Sequence, residues 1–361
     1  MNKIRKVVNL YNGISCGRVA LDKLGVEYDT YYSSEIDKYA MKITEDNYPD
    51  TVELGDALDW ESWDIDWASV DLIMAGNPCQ AFSKAGKQGG TNDPRGQLLY
   101  TTMDIINNAK KFNPNLKFFI ENVGMKQEFL DLFNETIGVE GFPINSNLVS
   151  AQNRFRYYWA NCELIQPEDK GVTWGDVREY RVDGEHYYYT EKALQWLAKS
   201  SQKRGKTLDI WLEDEKAQML EASMYKNYSN QRFFGICDLP NDQQAVAAMR
   251  GRYLVDGKRQ DSKGSTKGKT EQYIEFRYDG KTNCLTTVQK DNVVVPFTLP
   301  NRIPRDMFFF RYITVTEAER LQGLPDDYTK AVSKTQAYKA LGNGWQVDTI
   351  EHILKHLLGD N

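Results

Sequence analysis

Short apolar runs alternate with helix-patterned stretches through the first half of the chain, and this alternation constrains the fold more than any other feature of the sequence. Val7–Tyr11, Tyr28–Ser34, Thr51–Leu54, Val70–Ala75 and Leu116–Ile120 read as strands, while Arg18–Leu24 and Leu98–Lys111 read as helices. Strands separated by helices form βαβ units, so the expected class is α/β with a doubly wound, mostly parallel sheet. In such sheets ligands bind outside the carboxyl ends of the strands, which directs attention to what each strand tip carries.

The first strand runs into Asn12-Gly13-Ile14-Ser15-Cys16-Gly17, a turn whose glycines permit close approach of a ligand to the following helix N-terminus. The second ends at Glu35-Ile36-Asp37 and the third at Gly55-Asp56-Ala57. A carboxylate at the tip of strand two suits ribose hydroxyls, so three tips converge on a nucleoside-containing cofactor. After the fourth strand comes Gly76-Asn77-Pro78-Cys79-Gln80-Ala81-Phe82-Ser83, where Cys79 is either a nucleophile or an inert buried thiol. Gly86–Gly96 has the composition of a loop that closes over a substrate.

Glu121, after the fifth strand, either caps the next turn or faces the crevice as an acid. Ile144–Val149 and Phe155–Ala160 read as a strand pair, and Arg154 and Arg156, two apart on extended chain, share a face and suit a phosphate, a base edge or a plain surface strand. Trp60, Trp63 and Trp67 fit one helix face against the core better than a stacking platform.

Composition narrows the function classes. The 45 basic and 51 acidic residues give a net charge of −6, which argues against coating nucleic acid through bulk charge. Basic side chains are nevertheless concentrated around residues 199–206 and 250–269, in loops that are either simply solvated or apposed to phosphates. Five scattered cysteines with no Cys-x-x-Cys pair give no disulfide framework and no metal site. No apolar run is long enough to span a membrane and no signal-peptide pattern opens the chain, so a cytoplasmic location is expected. The βαβ regularity lapses after Cys162, dividing the sequence into a catalytic, cofactor-binding domain (1–162), a smaller inserted domain (163–298) and a C-terminal part completing the first (299–361), with helices at Thr316–Gln322 and Val347–Leu358.

The ordered set Leu10-Tyr11-Asn12-Gly13-Ile14, Ser34-Glu35-Ile36-Asp37, Gly55-Asp56, Pro78-Cys79-Gln80-Ala81-Phe82-Ser83, Glu121-Asn122-Val123, Gln152-Asn153-Arg154-Phe155-Arg156, Leu321-Gln322-Gly323-Leu324-Pro325 and Gly342-Asn343 resembles the DNA (cytosine-5) methyltransferase family, bacterial or phage type. The tryptophan in Gly342-Asn343-Gly344-Trp345 resembles the eukaryotic de novo branch. The resemblance implies methyl transfer from S-adenosylmethionine to C5 of a cytosine flipped from double-stranded DNA, by a monomeric enzyme without a metal. It implies that Cys79 attacks C6, that Glu121 meets N3, that Arg156 contacts O2, that Arg154 meets a phosphate or the surroundings of the cysteine, and that Pro78 and Asn122 shape the pocket. On the cofactor side it implies Glu35 for the ribose, Ile36 and Asp56 for adenine, Gly13 for the methionine part, and Tyr11, Ile14, Ala57, Asn77, Asn343 and Trp345 around them. Gln80 and Ser83 in the catalytic domain, and Arg259, Lys263, Thr286 and Thr287 within a recognition domain at 163–298, are expected to meet DNA. Asn9, Ser15 and Asn77 depart from the family pattern, which has an acid, a glycine and a proline there. RNA as substrate and a catalytically silent DNA-binding module are the rival readings.

Overall fold

The computed structural model describes residues 4–78, 97–179 and 313–359, with strand segments at 209–211, 234–237, 245–252, 254–255, 258–259, 271–277, 293–295 and 310–311. The chain forms two compact units, one of Met1–Arg178, Glu213–Asn227 and Val315–Asn361, the other of Glu179–Leu212 and Tyr228–Thr314.

The first unit is built on seven strands, β1 (Ile4–Leu10), β2 (Tyr28–Ser34), β3 (Val52–Glu53), β4 (Val70–Gly76), β5 (Lys117–Val123), β6 (Phe142–Asn145) and β7 (Phe155–Ala160), in the order β3-β2-β1-β4-β5-β7-β6. The pairings among β1 to β5 are parallel, and β7 runs antiparallel to both β5 and β6. Strand order reverses between β1 and β4, so the crevice belongs outside their carboxyl ends. Helices α1 (Cys16–Lys23), α2 (Lys38–Asn47), α3 (Leu98–Phe112), α4 (Gln127–Ile137), α5 (Trp174–Val177), α6 (Val315–Leu321), α7 (Lys334–Asn343) and α8 (Val347–Leu358) accompany the sheet. The near-continuous burial of β4 and β5 reflects strands covered on both faces. Phe118, Ile120, Ile105, Ile106, Phe133 and Trp159 form part of one apolar cluster.

Several local expectations are corrected. Glu121, Asn122 and Val123 lie inside β5 and not beyond it, because β7 pairs as far as Val123 opposite Arg156. Ile144–Val149 breaks from strand into a 3-10 turn at Ser146–Leu148, and β3 shrinks to Val52–Glu53. Trp60 and Trp67 sit on two 3-10 turns, Ala57–Ser62 and Trp67–Ser69, with Trp63 just after the first, and not on one helix, yet all three pack against the core.

In the second unit β10 (Ala245–Arg252) lies between β13 (Glu271–Arg277) and β14 (Val293–Val295), antiparallel to both. β9 (Phe234–Cys237) lies between β8 (Asp209–Trp211) and β15 (Phe310–Arg311), and β11 (Leu254–Val255) pairs with β12 (Lys258–Arg259).

Candidate active site

A crevice of about 330 Å³ opens at the carboxyl ends of β1, β2, β4 and β5. One wall comes from the turn after β1, in which Tyr11, Gly13 and Ser15 all take left-handed backbone angles (φ 56, 59 and 61°). For non-glycine residues that conformation costs roughly 1–2 kcal/mol. A buried polar network offsets it. Ser15 Oγ accepts from Asn12 Nδ2 at 2.8 Å and shares a hydrogen bond with Thr44 Oγ1 at 2.9 Å. Asn12 Oδ1 in turn accepts from Asn9 Nδ2 at 2.8 Å and from the Tyr31 hydroxyl at 3.1 Å. Asn9 and Ser15, the two departures from the family pattern in this turn, are therefore parts of one hydrogen-bonded support.

Glu35 ties this turn to the tip of β2. Its Oε2 accepts the Gly13 N–H and its Oε1 the N–H groups of Ile36 and Asp37, each at 2.8 Å. Ile36 is 73% exposed, presenting an apolar face at the lip of the crevice. Asp56 caps its 3-10 turn through Leu58 N–H, with Ala57 buried beside it. Asn343 completes this side.

The opposite wall begins with Asn77, whose Nδ2 donates to Leu98 O at 3.1 Å and Thr102 Oγ1 at 2.9 Å, fastening the turn after β4 to α3. Pro78 follows on the lining. Glu121 is nearly buried and both of its oxygens are engaged, Oε1 by Arg156 Nε at 2.9 Å and Oε2 by Trp345 Nε1 at 3.0 Å. Arg156 Nη1 also donates to Phe155 O at 2.8 Å.

Burial excludes the plain surface-strand reading of Arg154: it lines the crevice and is 3% exposed, with Nη2 donating to Gly344 O at 2.7 Å and Gly342 O at 3.4 Å in the C-terminal backbone. Burial, with the neighbouring charge of Arg156, pushes its guanidinium down to about 9, still protonated at neutral pH. Ile14 and Asn122 are each 1% exposed and do not line the crevice. Ile14 lends its carbonyl to the Tyr328 hydroxyl at 2.8 Å, and Asn122 reaches Asn77 O at 3.4 Å. Both support the lining from behind.

Cys79, Gln80, Ser83, Lys263, Thr286 and Thr287 lie outside the described residues, as do the Arg259 side chain and the Gly86–Gly96 loop. Burial pushes the thiol of Cys16, which lies below the crevice turn, up to about 12, so it stays protonated. Sequence reading missed Leu98 and Thr102 as holders of Asn77, and Gly17 and Gly76 as the space for Trp345. The tryptophan in a late glycine-asparagine segment was the signal for a large residue needing room. Among the described residues no cluster of three metal-ligating side chains occurs, and no helix is long and apolar enough to cross a membrane.

Residues 5–359 match the family described as C-5 cytosine-specific DNA methylase. The chain is 28% identical to the type II methyltransferase M.HpaII of Haemophilus parainfluenzae, over 97% of this chain and 88% of that one. Its fold is similar to that of the Entamoeba histolytica methyltransferase EhMeth, with TM-score 0.64, 16% identity and coverage of 99% of this chain and 98% of the other. A DNMT2 variant of Spodoptera frugiperda superposes with TM-score 0.60 at 19% identity, covering 98% of this chain and all (100%) of that one.

Proposed function

The chain belongs to the C-5 cytosine-specific DNA methylase family and is a DNA cytosine-5 methyltransferase, and we propose that it methylates a cytosine flipped out of duplex DNA, through a covalent bond between Cys79 and C6, with S-adenosylmethionine as donor. The observation that carries this reading is Glu121, held between Arg156 and Trp345 in the same crevice that Gly13, Glu35, Ile36 and Asp56 line.

The residues present fit the cofactor. The exposed Ile36 side chain offers a surface for a flat base, and Glu35 and Asp56 bring carboxylates for hydroxyl and amino groups. Gly13 has open space around the position of a Cβ, so its backbone is approachable. Bound there, the cofactor supplies an electrophilic methyl group on a sulfonium.

Cytosine C5 is a poor nucleophile until C6 is attacked. The Cys79 thiolate adds to C6, and the ring electron pair moves toward C5 and N3. Glu121 meets N3 with a proton or hydrogen bond as charge gathers there, while Arg156 addresses O2. C5 would take the methyl group as its bond to the sulfonium breaks, leaving a neutral thioether; a base then removes the C5 proton, any proton lent to N3 returns to Glu121, and the C6–S bond breaks to return the thiolate. Extruding the cytosine costs a few kcal/mol, recovered by these contacts. Residues 163–298 carry target recognition in this reading, with Arg259, Lys263, Thr286 and Thr287 against the DNA and basic loops supplying salt-dependent phosphate contacts.

Labelled S-adenosylmethionine incubated with duplex DNA or with RNA decides the substrate. 5-Methylcytosine is expected in the DNA arm; tight DNA binding without transfer would overturn the reading. Cys79→Ser abolishes turnover, and DNA carrying 5-fluorocytosine traps the wild-type protein; an adduct that survives Cys79→Ser identifies a different nucleophile.

A further inference from the structure

Trp345 touches the reacting side of the crevice in a way that cofactor contact alone does not require. Its Nε1–H donates to Glu121 Oε2 at 3.0 Å, on the carboxylate oxygen that Arg156 leaves open. The indole lies against Phe119, with ring centroids 5.3 Å apart, and is 7% exposed.

The place for this ring is made by two glycines. A Cβ at Gly76 would fall 2.8 Å from Trp345 Nε1, and one at Gly17 would fall 3.1 Å from its Cζ3. Gly76 is the β4 residue that pairs with Glu121 across the sheet, so the missing side chain is missing beside the carboxylate itself. Sheet register thereby sets the indole N–H against Glu121.

We propose that Trp345 is a positioning residue for Glu121: with Arg156 it clamps the carboxylate from both oxygens and fixes the plane in which Glu121 meets the cytosine ring. An arginine on one oxygen leaves the carboxylate free to pivot, and a second donor removes that freedom. The indole suits the task because its N–H is a donor only and does not titrate, so it holds the carboxylate without taking its proton. It also adds no further positive charge beside Arg154 and Arg156. This inference rests on the role given to Glu121 above.

The test is Trp345→Phe in the full chain, which keeps most of the ring volume and removes the donor. Single-turnover methyl transfer to duplex DNA is expected to fall about tenfold, the effect of one hydrogen bond to a charged group, while the cofactor dissociation constant measured by calorimetry changes less than about threefold. Gly76→Ala, whose Cβ pushes the indole away, is expected to give the same split and serves if Trp345→Phe does not fold. In a Glu121→Ala background Trp345→Phe is expected to lower the residual rate no further. An unchanged transfer rate, a loss carried wholly by cofactor affinity, or additive losses in the double variant would overturn the assignment. Absence of transfer by the wild-type protein would instead overturn the proposed function.

Discussion

The two walls of the crevice are assembled in opposite ways. On the cofactor wall the contacts that shape the turn are short in sequence, Asn12 reaching Ser15 three residues on and Gly13 reaching Glu35 across 22, with one long contact, Tyr328 to Ile14 across 314, behind them. On the base wall Asn77 is held from 21 and 25 positions away, but the contacts of the acid and of its arginine neighbour are long, with Trp345 and Glu121 separated by 224 positions and Arg154 and Gly344 by 190. A wall built from turns is defined once each βα unit forms. A wall built from distant segments exists only after the C-terminal stretch docks, so damage there is expected to spread into global stability, whereas damage to the cofactor wall stays local.

Arg154→Ala tests the contrast most severely. Removing a buried guanidinium that holds the Gly342 and Gly344 carbonyls leaves two buried acceptors unmet, and is expected to destabilise the first unit by roughly 2–5 kcal/mol in urea unfolding; a loss below about 1 kcal/mol would show that the C-terminal stretch docks without it. Glu121→Ala should lower the turnover number about a hundredfold with cofactor affinity retained, read by steady-state kinetics and calorimetry. Its counterpart Glu35→Ala should do the reverse, raising the cofactor dissociation constant roughly tenfold and sparing single-turnover transfer. If both variants lose rate and affinity together, the two walls do not act separately.

Ser15→Ala keeps the left-handed backbone but removes the hydroxyl from the network, for an expected loss of about 1 kcal/mol, whereas Ser15→Gly relieves the backbone and should lie close to wild type. The smallest effect concerns Cys16. Burial holds its thiol up to about 12, so the protonated form prevails from pH 7 to pH 10 and iodoacetamide should leave Cys16 unlabelled until the chain unfolds. Labelling that climbs steeply across that range, followed by peptide mass analysis, would show the turn opening in the native state.

Legibility followed the same division. The parallel strands could be read because burial on both faces writes continuous apolar runs, and Val347–Leu358 could be read because its apolar residues recur at helical spacing. Tyr11, Gly13, Glu35 and Asp56 stand at strand tips, where topology alone brings them together. The end of β5 is hidden in the sequence because Glu121 and Asn122 are polar, and pairing with β7 overrides local propensity there. The burial of Arg154 is not written in its own segment, because alternation along a strand says which face a residue takes and not whether that face is covered.

Periodicity and chain direction are enough to set the α/β class, the order of the strand tips along the chain and the residue types gathered at them. The inward turn of Arg154, the fastening of Asn77 to α3, and the meeting of Trp345 with Glu121 through the gap at Gly76 come from packing. Those outcomes depend on sheet register and on the docking of segments far apart in the chain, and pairwise geometry at that range is not written in the local pattern of either partner.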